Sequence, residues 1–374
     1  MKHSAAVSLW LDGVQRTYPA FEGDAVVDVA IVGGGIAGVA TAYFLAKSGA
    51  SVVVLEARGI AEAASGRNAG FLLAGVAENF VAASRRYGEA NALRIWRLTK
   101  RTQTLARELV DEHGIDCDLR WNGSDQIAGD DEEWREVQES ARLLAAQGVR
   151  VRTDDGTRTA TYDEDADLHP VRWVRGLGRA AAAAGARIHE ESTVTAVGPG
   201  VARTARGRVR AGAVLLCTNA YTVHLTATRV RPVRGQMLAT APAPPTFARP
   251  AYAKRGYQYW RQTVDGRVVV GGWRDTAAER EIGEDERPTD EIQAQLEAFL
   301  RTHGITAPVT HRWAGTMGFS HDALPYVGQI GPRLFVCGGF TGHGMAFGPA
   351  CAELVATLVR GGSHPDAELF DPAR

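Results

Sequence analysis

The chain has 374 residues, enough for two or three domains and for a large core that needs no disulfide staples. Lys and Arg number 42 and Asp and Glu 43, and the resulting net charge of −1 argues against a nucleic-acid binder, which normally shows a basic excess. The four cysteines are widely spaced with no C-x-x-C pair, so we expect no metal site, no disulfide framework, reduced thiols and a cytoplasmic location.

The N-terminal end lacks the sustained apolar core of a secretory signal peptide. One uncharged stretch, Val29 to Ala46, has the length of a membrane span. Four glycines between positions 33 and 38 interrupt it. A strand, a tight turn and a helix account for this stretch better, so we expect no membrane span.

A glycine-rich motif follows the first predicted strand, which covers residues 26–32. The sequence GGGIAG, from Gly33 to Gly38, matches G-x-G-x-x-G and leads into a predicted helix. Gly33 permits the tight turn, Gly35 lets a pyrophosphate approach the backbone, and Gly38 lets helix and strand pack closely. The second strand ends at Glu56, which is placed to bind a ribose diol. Together these features predict a dinucleotide site with its phosphates at the helix N-terminus.

Two further segments favour a flavin over a nicotinamide. The small-residue stretch from Ser65 to Phe71 can present several backbone N–H groups to a phosphate or a ring edge. Near the C-terminal end, a predicted strand over 334–337 runs into a glycine-rich turn, Gly338 to Met345, and then a helix over 346–359. This second helix N-terminus offers partial positive charge to an anionic reduced flavin.

The intervening segments alternate between helical and strand patterns. Spacing predicts helices over 78–113 (broken near Gly88), 132–147, 171–184 and 290–303. Residues 116–128 alternate like a hairpin with Asn122-Gly123 as its turn. Segments 231–240, 257–262, 268–272 and 309–315 predict a large antiparallel sheet, with Asp265-Gly266 as one hairpin turn.

A second glycine pattern imitates a dinucleotide fingerprint. It comprises Gly176, Gly178 and Ala181, but no strand precedes it and it falls within a predicted helix. We therefore expect no NAD(P)H domain.

Several motifs together resemble one known family. They are Asp28 to Glu56, Ser65 to Gly70, Leu168-His169-Pro170, Val214 to Ala220, and Gly338 to Met345. In this order they resemble the D-amino-acid-oxidase superfamily of FAD-dependent amine and amino-acid oxidoreductases, of the glycine oxidase and sarcosine oxidase type. The sequences of these motifs are most similar to those of gamma-glutamylputrescine oxidase-like proteins.

The resemblance implies an α/β fold with two discontinuous domains. A glutathione-reductase-type FAD-binding Rossmann domain is expected over 24–80, 145–228 and 325–362. A substrate domain built on the large antiparallel sheet is expected over 81–144 and 229–324, and residues 1–23 form an N-terminal extension. The substrate pocket then lies between that sheet and the flavin.

The resemblance and the motifs also assign residues to the site. Those expected to contact FAD are Gly33, Gly35, Ile36, Ala37, Gly38, Glu56, Ala57, Arg58, Ser65, Gly66, Arg67, Asn68, Ala69, Gly70, Val194, Cys217, Thr218, Asn219, Gly315, Gly339, Phe340, Gly342, His343, Gly344 and Met345. The candidate catalytic residues are His343, Tyr259 and Arg274. Those expected to contact substrate are Phe71, Tyr257, Tyr259, Trp273 and Met317.

The expected reaction needs few acid–base groups, because the flavin carries out the chemistry and the protein binds and orients the flavin and the substrate. The substrate amine must be neutral to release a hydride from its α-carbon. An alkylammonium has a pKa of about 10.4, and an apolar, aromatic pocket favours the neutral form by desolvation.

Two departures from the family pattern bear on the substrate and the cofactor. Glycine oxidase holds the substrate carboxylate with an arginine where this chain has Met317, so a simple α-amino acid is disfavoured unless Arg255, Arg261 or Arg274 supplies the charge. The cysteine that sarcosine oxidase joins to flavin corresponds to about Gly315, and the histidine that dimethylglycine dehydrogenase uses corresponds to Arg67. We therefore expect non-covalent FAD.

Four functions remain open at this point. The leading one is an amine oxidase that yields an imine, then an aldehyde, and passes electrons to O2 to give H2O2. The second is an amino-acid oxidase or dehydrogenase, the latter using a quinone or protein carrier. The third is an NAD-dependent dehydrogenase, which the flavin-type C-terminal segment opposes, and the fourth is a non-catalytic FAD-binding subunit of a larger complex.

Overall fold

The computed structural model describes residues 7–374. Numbered along the chain, its α-helices are α1 (Ile36–Lys47), α2 (Phe80–Tyr87), α3 (Glu89–His113), α4 (Asp131–Ala146), α5 (Pro170–Ala183), α6 (Asp290–Thr302) and α7 (Gly344–Val359). Its strands are β1 (Gly23–Val32), β2 (Val52–Leu55), β3 (Phe71–Leu72), β4 (Ser124–Ile127), β5 (Val151–Asp154), β6 (Thr159–Tyr162), β7 (Ala166–Asp167), β8 (Arg187–His189), β9 (Val194–Gly198), β10 (Val201–Thr204), β11 (Gly207–Leu216), β12 (Arg231–Pro242), β13 (Ala251–Ala253), β14 (Gln258–Gln262), β15 (Arg267–Gly272), β16 (Val309–Phe319), β17 (Tyr326–Gly331) and β18 (Leu334–Gly338).

The first sheet, here called the parallel sheet, has the strand order β17-β18-β11-β1-β2-β8, with β9 and β10 attached beside β11. The strands from β18 to β8 run parallel, and β17 is antiparallel at the edge. All four residues of β2 are buried, as expected of a parallel strand covered on both faces. The carboxyl ends of β1, β2 and β11 meet at one edge, where α/β sheets bind ligands.

Helices cover one face of the parallel sheet. The helix α1 packs against α5 and α7, and α3 also packs against α7. Because it is enclosed by the sheet and two helices, α1 is apolar nearly all round, and Tyr43 and Leu45 are among its buried residues. This rigid layer fixes the N-termini of α1 and α7, which open at the carboxyl edge of the sheet.

The second sheet, here called the large sheet, has the order β16-β12-β15-β14-β13-β4-β6-β5. It is antiparallel except for the pair β13–β4. The helix α6 covers one face, where Phe299 packs 4.7 Å from Trp260, centroid to centroid. The opposite face carries Tyr252 and Tyr259, which are cross-strand partners, and it lines a cavity.

The α/β prediction is confirmed, and so are several local expectations. The first long helical segment is two helices that meet at Gly88, where φ is +81°. Gly176 and Gly178 lie inside α5, as the helical spacing of this segment predicts. Residues 263–266 form the turn between β14 and β15, closed by a 2.9 Å bond from the Thr263 N–H to the Arg267 carbonyl.

The hairpin predicted over 116–128 is wrong. Only Ser124–Ile127 forms a strand there, and it pairs with β6 and β13 instead of with its own neighbour in sequence. The Gly123 N–H donates to the Asp165 carbonyl, so the turn signal marks the entry of a long-range pairing. Alternation of side chains with period two predicts that a strand forms, but it does not predict which strand it pairs with.

The predicted domain limits also need one correction. The strands β5 and β6 belong to the large sheet and not to the parallel sheet, although the expected FAD-binding segment 145–228 includes them. The expected strand 309–315 is longer and reaches Phe319, because β12 continues to pair with it as far as Arg231. The rest of the domain division stays a proposal.

The described part of the N-terminal extension, residues 7–23, packs against the loop after β2. The Ser8 hydroxyl donates to the Gly66 carbonyl (2.6 Å), and the Trp10 indole N–H donates to the Asn68 carbonyl (2.7 Å). Trp10 is buried in the main core. Over residues 7–374, no helix is long and apolar enough to cross a membrane.

Candidate active site

One continuous cavity of about 1180 Å³ lies between the carboxyl edge of the parallel sheet and the open face of the large sheet. This volume exceeds the roughly 300–1,000 Å³ of pockets for drug-sized ligands. One end is lined by the glycine-rich turn at Gly33, and the other by aromatic residues such as Tyr259. The cavity can therefore accommodate a dinucleotide together with a small second ligand.

The turn after β1 has the close backbone packing that the glycine motif predicts. Gly33 has φ of +105°, and a Cβ there would stand 2.6 Å from the Cys217 carbonyl oxygen. A Cβ on Gly38 would collide with the Gly33 carbonyl oxygen. Gly38 does not line the cavity; it keeps α1 against β1, whereas Gly33 and Gly35 face the cavity.

Several amides at this turn are open to a ligand. Ile36 donates its N–H to the Ser65 hydroxyl (3.0 Å), whereas the N–H groups of Gly35 and Ala37 donate to no other described residue. At the start of α7, the N–H groups of Gly342, Gly344 and Met345 are likewise without an acceptor among residues 7–374. Unpartnered amides at helix N-termini suit anionic groups. The residues present thus fit a dinucleotide at α1 and an electron-rich ring edge at α7.

Glu56 is held by the backbone at the end of β2. Its carboxylate accepts hydrogen bonds from the Gly34 N–H (2.6 Å) and the Arg58 N–H (2.7 Å). Burial raises the pKa of Glu56, and the two N–H donors oppose that shift. Each carboxylate oxygen keeps a lone pair, so Glu56 can still accept from a diol.

The loop from Ser65 to Gly70 is shaped by its own side chains. The Asn68 amide group donates to the carbonyls of Ala64 and Ser65 and accepts from the Gly70 N–H (2.8 Å). A Cβ on Gly66 would meet the Ala61 carbonyl oxygen. Gly66 and Gly70 face away from the cavity, so they serve the shape of the loop rather than contact with a ligand.

Asn219 ties the end of β11 to the C-terminal glycine-rich turn. Its side-chain oxygen accepts from the N–H groups of Gly339 (2.9 Å) and Phe340 (3.3 Å). Asn219 itself has φ of +46°, which asparagine tolerates better than most residues. Gly339 lies behind the turn, against Tyr326, whereas Phe340 and Gly342 line the cavity.

His343 precedes α7 and lines the cavity. Its Nδ1 lies 3.3 Å from the Thr341 carbonyl oxygen, and its Nε2 is buried without a partner among the described residues. Burial lowers the pKa of His343, with a smaller contribution from the charge of Arg274. Because a carbonyl only accepts, Nδ1 carries the proton in the neutral ring and Nε2 is left as an acceptor.

Aromatic rings enclose the cavity beside His343. Phe71 meets Tyr252 at 5.3 Å and Tyr259 at 6.3 Å, both edge to face, and Tyr252 lies 6.1 Å from the His343 ring. Burial raises the pKa of Tyr259 to about 12, and the charge of Arg274 opposes the shift. Tyr259 is therefore a protonated donor at any working pH. Tyr257 and Tyr259 both line the cavity, because residues two apart in an extended segment point to the same side.

Arg274 lies between two rings at the cavity wall. Its guanidinium carbon is 4.8 Å from the centroid of Tyr257 and 4.8 Å from that of Phe319. None of the described carboxylates lies within ion-pair distance of it. The other two arginines that the sequence offers for this role are engaged: Arg261 pairs with buried Asp167 (2.9 Å) outside the cavity, and Arg255 pairs with Glu136 (2.8 Å) at its rim.

Trp273 is not at the site, contrary to expectation. It would share the cavity face with Gly271 if the strand alternated regularly, but Gly272 (φ +115°) and Trp273 (φ +59°) break that alternation. The Trp273 ring packs 5.6 Å from Phe299 on the α6 side and does not line the cavity. The same backbone turn sends Arg274 to the cavity.

Met317 does line the cavity, close to Gly235 and Gly342. A Cβ on Gly235 would lie 2.9 Å from the Met317 methyl carbon, and one on Gly342 would lie 3.3 Å from its sulfur.

Sequence reasoning missed a polar cluster at the dinucleotide end. Glu286 pairs with Arg58 (2.9 Å) and Arg67 (3.3 Å), and the Tyr221 hydroxyl donates to it (2.8 Å). Glu286 lies in a loop of no regular pattern, so no sequence signal indicated it. Phe319 was also missed, although it follows Met317 by two positions and alternation would have placed it on the same face.

The structure brings most of the predicted cofactor residues to the cavity. Those that line it are Gly33, Gly35, Ile36, Ala37, Glu56, Ala57, Arg58, Ser65, Arg67, Asn68, Ala69, Val194, Cys217, Thr218, Asn219, Gly315, Phe340, Gly342, His343, Gly344 and Met345. Gly38, Gly66, Gly70 and Gly339 lie behind it as packing glycines.

Comparisons with known proteins find relatives over most of the chain. The family model described as "DAO: FAD dependent oxidoreductase" matches residues 28–358. Gamma-glutamylputrescine oxidoreductase of Escherichia coli (strain K12) is 30% identical over 371 residues, covering 92% of this chain and 85% of that protein. Glycine oxidase of Pseudomonas aeruginosa is 29% identical over 377 residues, covering 92% and 97%.

Solved structures show the same fold. Glycine oxidase from Geobacillus kaustophilus superposes with a TM-score of 0.80 at 24% identity, covering 94% of this chain and 99% of that one. L-proline dehydrogenase from P. horikoshii also gives a TM-score of 0.80, at 23% identity, covering 95% and 98%. The matched span includes the glycine-rich turn from Gly33 to Gly38 before α1, here called the dinucleotide cradle, the turn before α7 and the large sheet between them. The chain belongs to the DAO family of FAD-dependent oxidoreductases.

Proposed function

We propose that the chain binds FAD non-covalently and oxidises the C–N bond of an amine or amino acid to an imine. The observation that carries the proposal is the continuity of the cavity, which joins the dinucleotide cradle at Gly33 to the aromatic pocket at Tyr259. FAD, when bound, accepts the hydride from the substrate carbon. Hydrolysis of the imine yields a carbonyl compound and ammonia or an amine, and O2 takes the two electrons to give H2O2.

Non-covalent attachment is supported by the residues at the flavin end. Gly315 offers no nucleophile, and Arg67 donates through its side chain to the carbonyls of Glu62 (3.0 Å) and Ala314 (2.9 Å). Of the four cysteines, all free and buried, Cys217 lines the cavity, but at the α1 end beside Gly33. We infer that this end holds the pyrophosphate.

The pocket favours the neutral, reactive form of a substrate amine. Its aromatic walls desolvate an ammonium group, and the fixed positive charge of Arg274 adds electrostatic cost to a second cation. The neutral His343 ring offers Nε2 as an acceptor for a substrate N–H. The Tyr259 hydroxyl offers a donor, and together these two groups orient the substrate.

A visible spectrum followed by anaerobic titration tests the proposal. We expect a yellow protein whose flavin remains in solution after acid precipitation, and bleaching by members of an amine and amino-acid panel. Re-aeration of the bleached protein should return the colour with one H2O2 per flavin. Flavin in the precipitate would refute non-covalent binding. A protein that bleaches but reoxidises only with a dye would be a dehydrogenase, and one that no amine bleaches would be a non-catalytic subunit.

A further inference from the structure

The cavity contains an arginine whose ion-pairing capacity is unused. Arg274 is held by the faces of Tyr257 and Phe319, and stacking of this kind leaves the N–H donors in the plane of the guanidinium free. It donates no hydrogen bond to any residue over 7–374, and no carboxylate in that range pairs with it. A planar fork of donors at the wall of a binding cavity suits a bidentate carboxylate.

Three other arginines near the substrate end are neutralised by carboxylates. Arg255 and Arg85 share Glu136, and Arg86 pairs with Glu78 (3.2 Å). Arg231, which also lines the cavity, has no ion pair but is exposed at its edge. Arg274 is half-buried, and its charge reaches both Tyr259 and His343.

We propose that Arg274 binds a carboxylate of the substrate, so that the substrate is an amine that carries a carboxylate group. This inference rests on the proposed function and narrows its substrate class. Met317, which lines the same cavity, is uncharged, and Arg274 supplies a positive charge from just after β15. The carboxylate would lie against Tyr257 and Phe319, with the amine directed to His343 and Tyr259.

Binding of an inert carboxylate tests this role apart from catalysis. We would titrate the FAD-loaded protein calorimetrically with benzoate and with benzamide, its neutral isostere, neither of which has an oxidisable amine. Benzoate should bind the wild type at least tenfold more tightly than benzamide, a difference of about 1.4 kcal/mol. Arg274→Met should abolish the preference, and Arg274→Lys should retain part of it, since lysine keeps the charge but lacks the fork.

Arg231→Gln is the matched control, because Arg231 also lines the cavity without an ion pair. It should leave the preference for benzoate unchanged. A wild type with no preference, or an Arg274→Met protein that keeps it, would overturn the inference. Flavin content of each variant shows that the cofactor site is intact.

Anaerobic flavin reduction separates the two proposals. Each amino acid is compared with an amine that lacks the carboxylate: sarcosine with dimethylamine, and 4-aminobutyrate with butylamine. In one pair or both, the amino acid should reduce the flavin of the wild type at least tenfold faster than the amine. Equal rates for acids and simple amines would refute the carboxylate role and leave amine oxidation standing. Arg274-dependent benzoate binding without reduction by any amine would refute the proposed function and leave the carboxylate site standing.

Discussion

At the scale of single residues, the chemistry of His343 depends on which ring nitrogen carries the proton. The Thr341 carbonyl fixes the proton at Nδ1, and burial lowers the pKa of the ring. The ring is therefore neutral at pH 7, and Nε2 can accept but not donate. Protonation below the ordinary histidine range would reverse that role.

This predicts a defined pH dependence for flavin reduction. From pH 7 upwards His343 should add no inflection, and the inflection that its ring contributes, which the Leu variant would lack, should fall below the ordinary histidine pKa of about 6.5. His343→Gln keeps an acceptor and should retain most of the rate, whereas His343→Leu should lose at least about tenfold. Stopped-flow reduction measured across pH 5–9 checks both. Equal rates in the Gln and Leu variants would show that Nε2 accepts nothing from the substrate.

Tyr259 is predicted to act as a donor throughout the working pH range, because its pKa is about 12. Tyr259→Phe removes one hydrogen bond while keeping the ring, so substrate binding should weaken about three- to tenfold with no change in the shape of the pH profile. The dependence of the reduction rate on substrate concentration gives this binding constant. Tyr162→Phe, whose hydroxyl bonds Gln126 away from the cavity, is the control and should leave it unchanged.

At the scale of structural elements, the turn before α7 depends on a contact from a distant strand end. Asn219 holds the N–H groups of Gly339 and Phe340, and that turn carries the open amides at the N-terminus of α7. The two helix N-termini of the site are thus joined through β11, which ends beside both. The geometry of the turn therefore depends on a long-range contact, and not only on the sequence of the turn itself.

Replacing Asn219 should therefore weaken FAD binding. Asn219→Asp keeps the acceptor oxygen and should retain affinity within about threefold, whereas Asn219→Gly tolerates the positive φ but loses the acceptor and should bind FAD about tenfold more weakly. Titration of apoprotein with FAD by fluorescence quenching measures both constants. Equal affinity in the Asp and Gly variants would show that the turn holds its shape without this side chain.

At the scale of the whole molecule, Asp165 joins three parts of the fold. It accepts from the Ala74 N–H (3.0 Å) near the cavity, the Gln103 amide of α3 (2.6 Å) and the Ser124 hydroxyl at the start of β4 (2.6 Å). Burial raises its pKa from 3.8 to about 6 despite these donors. The folded state therefore binds more protons than the unfolded state between those two pH values.

The sign of the linkage follows: this group lowers stability as pH rises from about 4 to 6. Relative to the wild type, Asp165→Asn should gain stability across that range, by up to about 3 kcal/mol for a shift of some two pKa units. Urea unfolding of the FAD-loaded protein at several pH values measures the difference. Glu164→Gln is a contrasting control, since Lys100 lowers the pKa of Glu164 and its removal should act in the opposite direction. A pH-independent difference for Asp165→Asn would contradict the assignment.

The sequence by itself determined the dinucleotide half of this protein. Gly33, Gly35, Gly38 and Glu56 act through backbone geometry within one strand–turn–helix–strand unit, so their spacing alone predicts the cradle. The α/β class followed from the same local periods. Even there, the packing role of Gly38 emerged from a contact with Gly33 five residues away.

The substrate half was decided by tertiary structure. Whether an arginine can meet a substrate depends on which carboxylates surround it, and Asp167 and Glu136, which engage Arg261 and Arg255, are about a hundred residues distant in sequence. Because Gly272 and Trp273 both have positive φ, Arg274 rather than Trp273 lies at the cavity wall. Regular strand alternation does not predict this arrangement. The spacing of residues close in sequence determines the backbone turn that can hold a dinucleotide. Which charged side chain of the pocket is available to a ligand depends instead on ion pairs between residues that are distant in sequence.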